Sequence, residues 1–263
     1  APPDEEEQYA TYAAMVRTLA PRPVVFRTFD LGADKMPGSL VSRERNPALG
    51  QRAIRLGLSN RAMFRTQLCA LLRAAREGDA RIMFPMVSGV GELRQVRAVL
   101  EEARRELGAD APQRVQVGCM IETPAAVFVA DRLAREVDFF SIGTNDLIQY
   151  SLAIDRTNDH VAYLYTPYHP GILRAIRLAV DAARDAGIPV SMCGSLAAEP
   201  ALAPVLIGLG LANLSMAPAA IPRVKSVVRA VDSEEAAALA REVVDLDTAL
   251  AVEERVEIGR AHV

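Results

Sequence analysis

The sequence predicts an α/β fold of the (β/α)8 TIM-type barrel class, with an N-terminal helix and a C-terminal helical tail. Three observations lead there. Short apolar runs recur along the chain, and each is followed by a stretch with helical periodicity. The runs are apolar throughout rather than alternating, as strands of a parallel sheet buried on both faces are. Several of them end in a charged or reactive residue, where a barrel gathers its functional groups.

The elements follow in order. APPDEEEQYATYAAMVRTLA opens the chain as a helix. Asp4 can cap it, acidic residues fill its first turn, and Tyr9, Tyr12 and Val16 share a side. Pro21 and Pro23 end it. VVFRTFD (24–30) reads as a buried strand, and RIMFPMV (81–87) as another before a charged helix over Glu92–Leu107. VQVGCMIE (115–122) precedes a helix opened by Pro124, and FFSIG (139–143) precedes a helix beginning near Asp146. A long helix spans Pro170–Gly187 before the strand PVSMC (189–193). EPALAPVLIGLG reads as helix, NLSMAP (213–218) as strand and IPRVKSVVRAV as helix. Weaker runs at RAIRLGL (52–58) and YSLAI (150–154) would complete eight strands. An open doubly wound sheet is the alternative, but no G-x-G-x-x-G supports a dinucleotide site. The 263 residues are read as a single domain, with one or two helices after Asp232.

Composition narrows the function. Thirty basic against 33 acidic side chains leave a net charge near −3, which gives no reason to expect nucleic acid or an anionic membrane surface as partner. No apolar run is long enough to span a bilayer, and no signal peptide is seen. Three cysteines, Cys69, Cys119 and Cys193, show no paired spacing, so a reducing cytoplasm is expected. The chain opens on Ala rather than Met, which fits processing or a domain cut from a longer protein.

The polar strand ends carry the chemistry. Glu122 and Asp146 stand at the ends of consecutive apolar runs. Paired carboxylates suit Mg2+, which keeps further positions for water and substrate phosphate; equally, each could cap the helix that follows it. Arg27 interrupts a buried strand and is the best candidate for an anion clamp, since a guanidinium meets carboxylate and phosphate in bidentate fashion. Arg52, Arg81 and Arg156 are further candidates, with Arg52 and Arg156 undistinguished by pattern. Cys193 ends an apolar strand beside Gly194, whereas Cys69 and Cys119 sit within apolar patterns as ordinary buried thiols. His160, His169 and His262 show no metal spacing.

The stretches EEEQYATY, RTFDLGADK, NPALGQRAIR, RIMFPMVS, MIETPAA, VDFFSIGTNDLIQYSLAIDR, MCG and LSMAPAAIPRVK, in this order from near residue 5 to near 230, resemble the C-terminal domain of bacterial phosphoenolpyruvate–protein phosphotransferase, enzyme I of the sugar phosphotransferase system. Pyruvate phosphate dikinase and phosphoenolpyruvate synthase have a related barrel. The resemblance implies phosphoenolpyruvate and Mg2+ as ligands. It implies Glu122 and Asp146 as metal ligands, and Arg27, Arg52, Arg81, Asn145 and Arg156 as substrate contacts. Cys193 would protonate the enolate to pyruvate. Asp30 and Lys35 would support the phosphate site or shape its loop. It further implies a homodimer, a phosphocarrier protein as downstream partner, and a phospho-histidine domain outside these 263 residues. One departure stands out: Ser195 occupies the position where the family usually has Glu after Cys-Gly. That keeps open a module that senses phosphoenolpyruvate or mediates dimerisation without turnover; a pyruvate phosphate dikinase- or phosphoenolpyruvate synthase-like domain and a Mg2+-dependent lyase of small oxo acids are further readings.

Overall fold

The structure, a computed structural model, describes residues 3–30, 44 and 46–260. Lys35 and His262 lie outside the described residues. The described residues divide into two compact units, one with those up to 120 and 136–139, the other with 121–135 and 140–260.

The first unit begins with helix α1 (Glu5–Leu19). Its start is a reciprocal capping box: Asp4 accepts from the Glu7 amide at 2.9 Å, and Glu7 accepts from the Asp4 amide at 3.1 Å. A cap of this kind stabilises a helix by about 1 kcal/mol. Strand β1 (Val24–Arg27) is followed by helices α2 (Ala53–Ser59) and α3 (Arg61–Ala74), strand β2 (Ala80–Phe84), helix α4 (Val90–Leu107) and strand β3 (Gln116–Ile121). β1 pairs with β2, and β2 with β3, all in parallel. α1 packs on α3. Arg73 of α3 pairs with Glu5 at 2.8 Å and lies over the Tyr9 ring, 4.1 Å from its centroid. Buried Gln67 of α3 donates to the Tyr12 hydroxyl at 3.2 Å and accepts the Phe29 amide at 3.0 Å. The two helices thereby hold the chain at the end of β1, where Arg27 closes the strand and Asp30 follows. Gly118 of β3 lies against the Phe139 ring; a Cβ there would fall 2.4 Å from a ring carbon, so glycine is required.

The second unit runs through short helices α5 (Pro124–Phe128) and α6 (Ala130–Leu133), strand β4 (Phe139–Gly143), helix α7 (Thr144–Ser151), helix α8 (Pro170–Asp185), strand β5 (Val190–Cys193), helix α9 (Ala203–Gly208), strand β6 (Asn213–Leu214) and helices α10 (Ile221–Ala230), α11 (Ser233–Val243) and α12 (Ala249–Arg260). β4 pairs with β5, and β5 with β6, again in parallel. α8 buries Ile172, Leu173, Ile176, Ala179, Val180 and Ala183, a stripe at helical spacing. Each large side chain in it contributes at most about 1.5–3 kcal/mol. The helices expected after Asp232 are α11 and α12.

The chain is thus α/β with parallel strands, as expected, but the described residues hold six strands rather than eight. Both weaker candidates are helical. In 52–58 the buried residues are Ala53, Ile54, Leu56 and Gly57, a cluster that a helix gathers on one side. Its alternating Ile54 and Leu56 imitate a strand, an ambiguity inherent in short apolar runs. Residues 150–154 belong to the end of α7 and its closing turn.

Candidate active site

In the first unit the C-terminal end of β1 carries a fixed pair of cations. Asp30, its side chain 6% exposed, accepts from Arg52 Nε at 3.1 Å and from Arg52 Nη2 at 2.8 Å, and pairs with Arg27 Nη1 at 3.1 Å. One carboxylate between two guanidiniums leaves the group with a net positive charge. Arg27 is half-exposed, so donors remain for an anion. Arg81 stands elsewhere. It is the second residue of β2 and lies opposite Val25, two residues toward the N-terminal end from the level of Arg27. Strand alternation puts it on the same face as Arg27. Its guanidinium grips Asp79, with contacts of 3.1 and 2.8 Å, and that hydrogen-bonded pair holds the Asp79 carboxyl below the usual carboxylate range. Arg81 is therefore not gathered into the Arg27–Asp30–Arg52 group.

In the second unit the candidates follow strand ends closely. Glu122 comes directly after β3 and is 2% exposed. The cap of α5 is Thr123, whose hydroxyl accepts the Ala126 amide at 3.2 Å, so the reading of Glu122 as the helix cap is corrected. Asp146 lies in the first turn of α7, where the helix dipole favours a carboxylate, and is buried. Its Oδ1 is 3.7 Å from Arg156 Nη1. Glu122 and Asp146 are both buried carboxylates, hard oxygen donors of the kind and number that Mg2+ takes from a protein. Among the described residues, no three of His, Cys, Asp and Glu gather as a metal-holding group.

Arg156 is placed by α7 itself. Ala153 follows the last turn with φ of 53°, and the Ile154 amide returns to the Gln149 carbonyl at 3.0 Å. This six-to-one bond closes the helix end. The buried Gln149 side chain then accepts the Arg156 amide at 3.2 Å. One helix therefore presents Asn145 and Asp146 at its start and anchors Arg156 beyond its end.

Asn145, Arg156, Ala162, Tyr165 and Ser195 line a cavity of about 360 Å3, a volume suited to a small metabolite. Asn145 Oδ1 accepts from the Ser195 amide at 2.9 Å and from the Ser195 hydroxyl at 2.8 Å, with the Tyr165 hydroxyl at 3.4 Å. Gly194, with φ of 95°, lets the chain pass close: a Cβ would fall 2.4 Å from Thr144 Oγ1 and 3.0 Å from Asn145 Oδ1. Sequence reading did not find Tyr165, because a loop aromatic outside any periodic pattern carries no signal.

Cys193 ends β5 opposite Gly143 and is half-buried. Its thiol donates to the Ile142 carbonyl at 3.5 Å and accepts from the Ser141 hydroxyl at 3.6 Å. The other cysteines differ. Cys69 and Cys119 are buried, and burial pushes the Cys69 thiol up to about 11, so it stays protonated and inert near neutral pH.

The chain has clear relatives. It is 46% identical over 259 residues to a phosphoenolpyruvate-protein phosphotransferase of Listeria monocytogenes, covering 97% of this chain and 45% of that protein. It is 47% identical over 251 residues to the protein of that name from Geobacillus stearothermophilus, covering 94% of this chain and 43% of that one. The chain thus spans under half the length of these relatives. A solved structure of a citrate lyase from Burkholderia xenovorans LB400 superposes with a TM-score of 0.53 at 20% identity, over 98% of this chain and 88% of that one; this likeness concerns the fold alone. Residues 1–233 match the family model described as PEP-utilising enzyme, PEP-binding domain. With that match over most of its length, the chain belongs to the family of phosphoenolpyruvate-binding domains of phosphoenolpyruvate-utilising enzymes.

Proposed function

We propose that this chain binds phosphoenolpyruvate and Mg2+ and supports phosphoryl transfer to a histidine on a separate domain, as the first step of the sugar phosphotransferase system. The observation that carries this reading is the cavity lined by Asn145 and Arg156, with the Asp146 carboxylate 3.7 Å from the guanidinium. The names of the relatives support the substrate class.

The residues divide the work as phosphoryl transfer demands, by positioning and charge neutralisation. Glu122 and Asp146 would hold Mg2+, which supplies electrostatic neutralisation of phosphate charge when bound. Arg156 and the Asn145 amide grip phosphoryl oxygens. Arg27 and Arg52, held by Asp30, bind an anionic group of the substrate. Arg81 is assigned to the substrate by the resemblance only, and would have to release Asp79 to act. In the reaction the bond between phosphorus and the enol oxygen breaks, and one from phosphorus to the acceptor imidazole nitrogen forms. The enolate so released takes the Cys193 thiol proton at its methylene carbon, giving pyruvate, and the thiolate regains a proton from solvent.

The test is a reconstituted assay in which a separately supplied histidine domain accepts the phosphoryl group. Cys193→Ala keeps phosphoenolpyruvate affinity but loses pyruvate formation by about 10²–10⁴-fold, the usual worth of a positioned proton donor. Unchanged turnover in this variant removes Cys193 from the chemistry. Carbon–carbon cleavage of an oxo acid without any histidine domain favours the lyase reading instead.

A further inference from the structure

The Asn145 side chain has two orientations of nearly equal shape, related by a half-turn of its amide. In one, its NH2 faces away from Ser195; in the other, its carbonyl oxygen does. The distinction matters in a cavity meant for an anion, because the first orientation attracts it and the second repels it.

The structure resolves which orientation holds. A backbone N–H can only donate. The Ser195 amide lies 2.9 Å from the Asn145 amide group, so the atom it meets is Oδ1. The Ser195 hydroxyl adds a second donor to that oxygen at 2.8 Å, and the Tyr165 hydroxyl a longer third at 3.4 Å. A carbonyl oxygen has two lone pairs, and the two short bonds from Ser195 occupy both. Turning the amide over would set NH2 against the Ser195 N–H and forfeit that bond, so the backbone amide fixes the orientation, while the Ser195 and Tyr165 hydroxyls, which can donate or accept, tighten it. The approach that makes this possible is built into the chain, since Gly194 carries no Cβ where one would stand 3.0 Å from Asn145 Oδ1.

We propose that Ser195, assisted by Tyr165, is a positioning residue that locks the Asn145 amide with Nδ2 as a dedicated donor to the phosphoryl group. The assignment of that group to Asn145 rests on the function proposed above; the lock itself rests on geometry alone. A hydroxyl at position 195 is suited to the task because it donates to the same oxygen as its own backbone amide.

Two measurements on the whole chain separate the claims. The first needs no ligand: the side-chain amide protons of Asn145 are followed by nitrogen-15 NMR. In the wild-type chain they give one sharp pair; in Ser195→Ala, where the backbone donor stays and the hydroxyl is lost, they broaden, while Ser195→Thr restores the sharp pair. The second is calorimetric titration with phosphoenolpyruvate and, separately, with pyruvate. Ser195→Ala weakens phosphoenolpyruvate by about three- to tenfold, the net worth of one hydrogen bond at a site water can reach. Pyruvate, which lacks the phosphoryl group, binds as before. In an Asn145→Ala background the Ser195→Ala change has no further effect. The lock is overturned if the Asn145 signals are the same in wild type and Ser195→Ala. It is likewise overturned if both ligands weaken alike, or if the loss persists without Asn145. A wild-type chain with locked signals that binds neither ligand would sink the substrate reading while leaving the lock in place.

Discussion

Asp30 fixes two guanidinium groups with a single carboxylate. Without it, Arg27 and Arg52 would repel each other and each would spend side-chain entropy on meeting a ligand. The sequence exposes Arg27 and Asp30, because charges inside an apolar run are unusual. It does not expose the role of Asp30, whose partner Arg52 is 22 positions away. The same holds for Cys193 and Asn145: their places at strand ends are legible, but the contacts of Ser195 and Tyr165 depend on folding. Gly194 belongs to this scale too. Its φ of 95° and the 2.4 Å between a Cβ and Thr144 Oγ1 leave no room for a side chain. Gly194→Ala should destabilise the chain by about 2 kcal/mol, from backbone strain and the displaced Thr144 together. Chemical denaturation measures it; a loss below a few tenths of a kcal/mol would mean that this turn adapts freely.

Helix α7 carries two of the second unit's candidate residues, Asn145 and Asp146. It starts directly after β4, so Asn145 and Asp146 are delivered at a strand end, and its closing turn sends Arg156 back toward Asp146. That turn holds Ala153 in the left-handed region that glycine prefers. Left-handed backbone costs a non-glycine residue about 1–2 kcal/mol. Replacing it with glycine returns about 0.4–1 kcal/mol of that through the freer unfolded chain. Ala153→Gly should therefore raise stability by about 0.5–1 kcal/mol, read as a higher denaturation midpoint with an unchanged slope. A destabilised variant would show that the Ala153 methyl makes a packing contribution larger than its strain. The misreading of 150–154 as a strand has its cause here. Five mostly apolar residues without a glycine give no sign of a helix end, because the residue that turns the chain is alanine. Residues 52–58 fail for a related reason, as a run of seven is too short for its period to decide between helix and strand. The long elements, such as α4 and α8, were legible because several turns repeat the same apolar stripe.

Among the described residues, six strands alternate with helices: Arg27, Glu122 and Cys193 stand at or just after strand ends, Asn145 and Asp146 open the helix after β4, Arg52 precedes α2, Arg156 follows α7, and Arg81 lies near the start of β2. No helix among the described residues is long and apolar enough to cross a membrane. The near-neutral composition gives no general attraction for anions, so under the proposed function recognition of a substrate carrying phosphate and carboxylate would fall to a few placed arginines. The order of motifs along the chain made the family legible, while pairings such as Asp79 with Arg81 required coordinates. The central proposal is that this chain binds phosphoenolpyruvate with Mg2+. Calorimetric titration of the chain with phosphoenolpyruvate, in the presence and absence of Mg2+, tests it most directly. Saturable binding that requires Mg2+, and that Arg27→Ala or Asp146→Ala abolishes, is the predicted result; no binding with or without Mg2+ would contradict it and favour a structural or regulatory role.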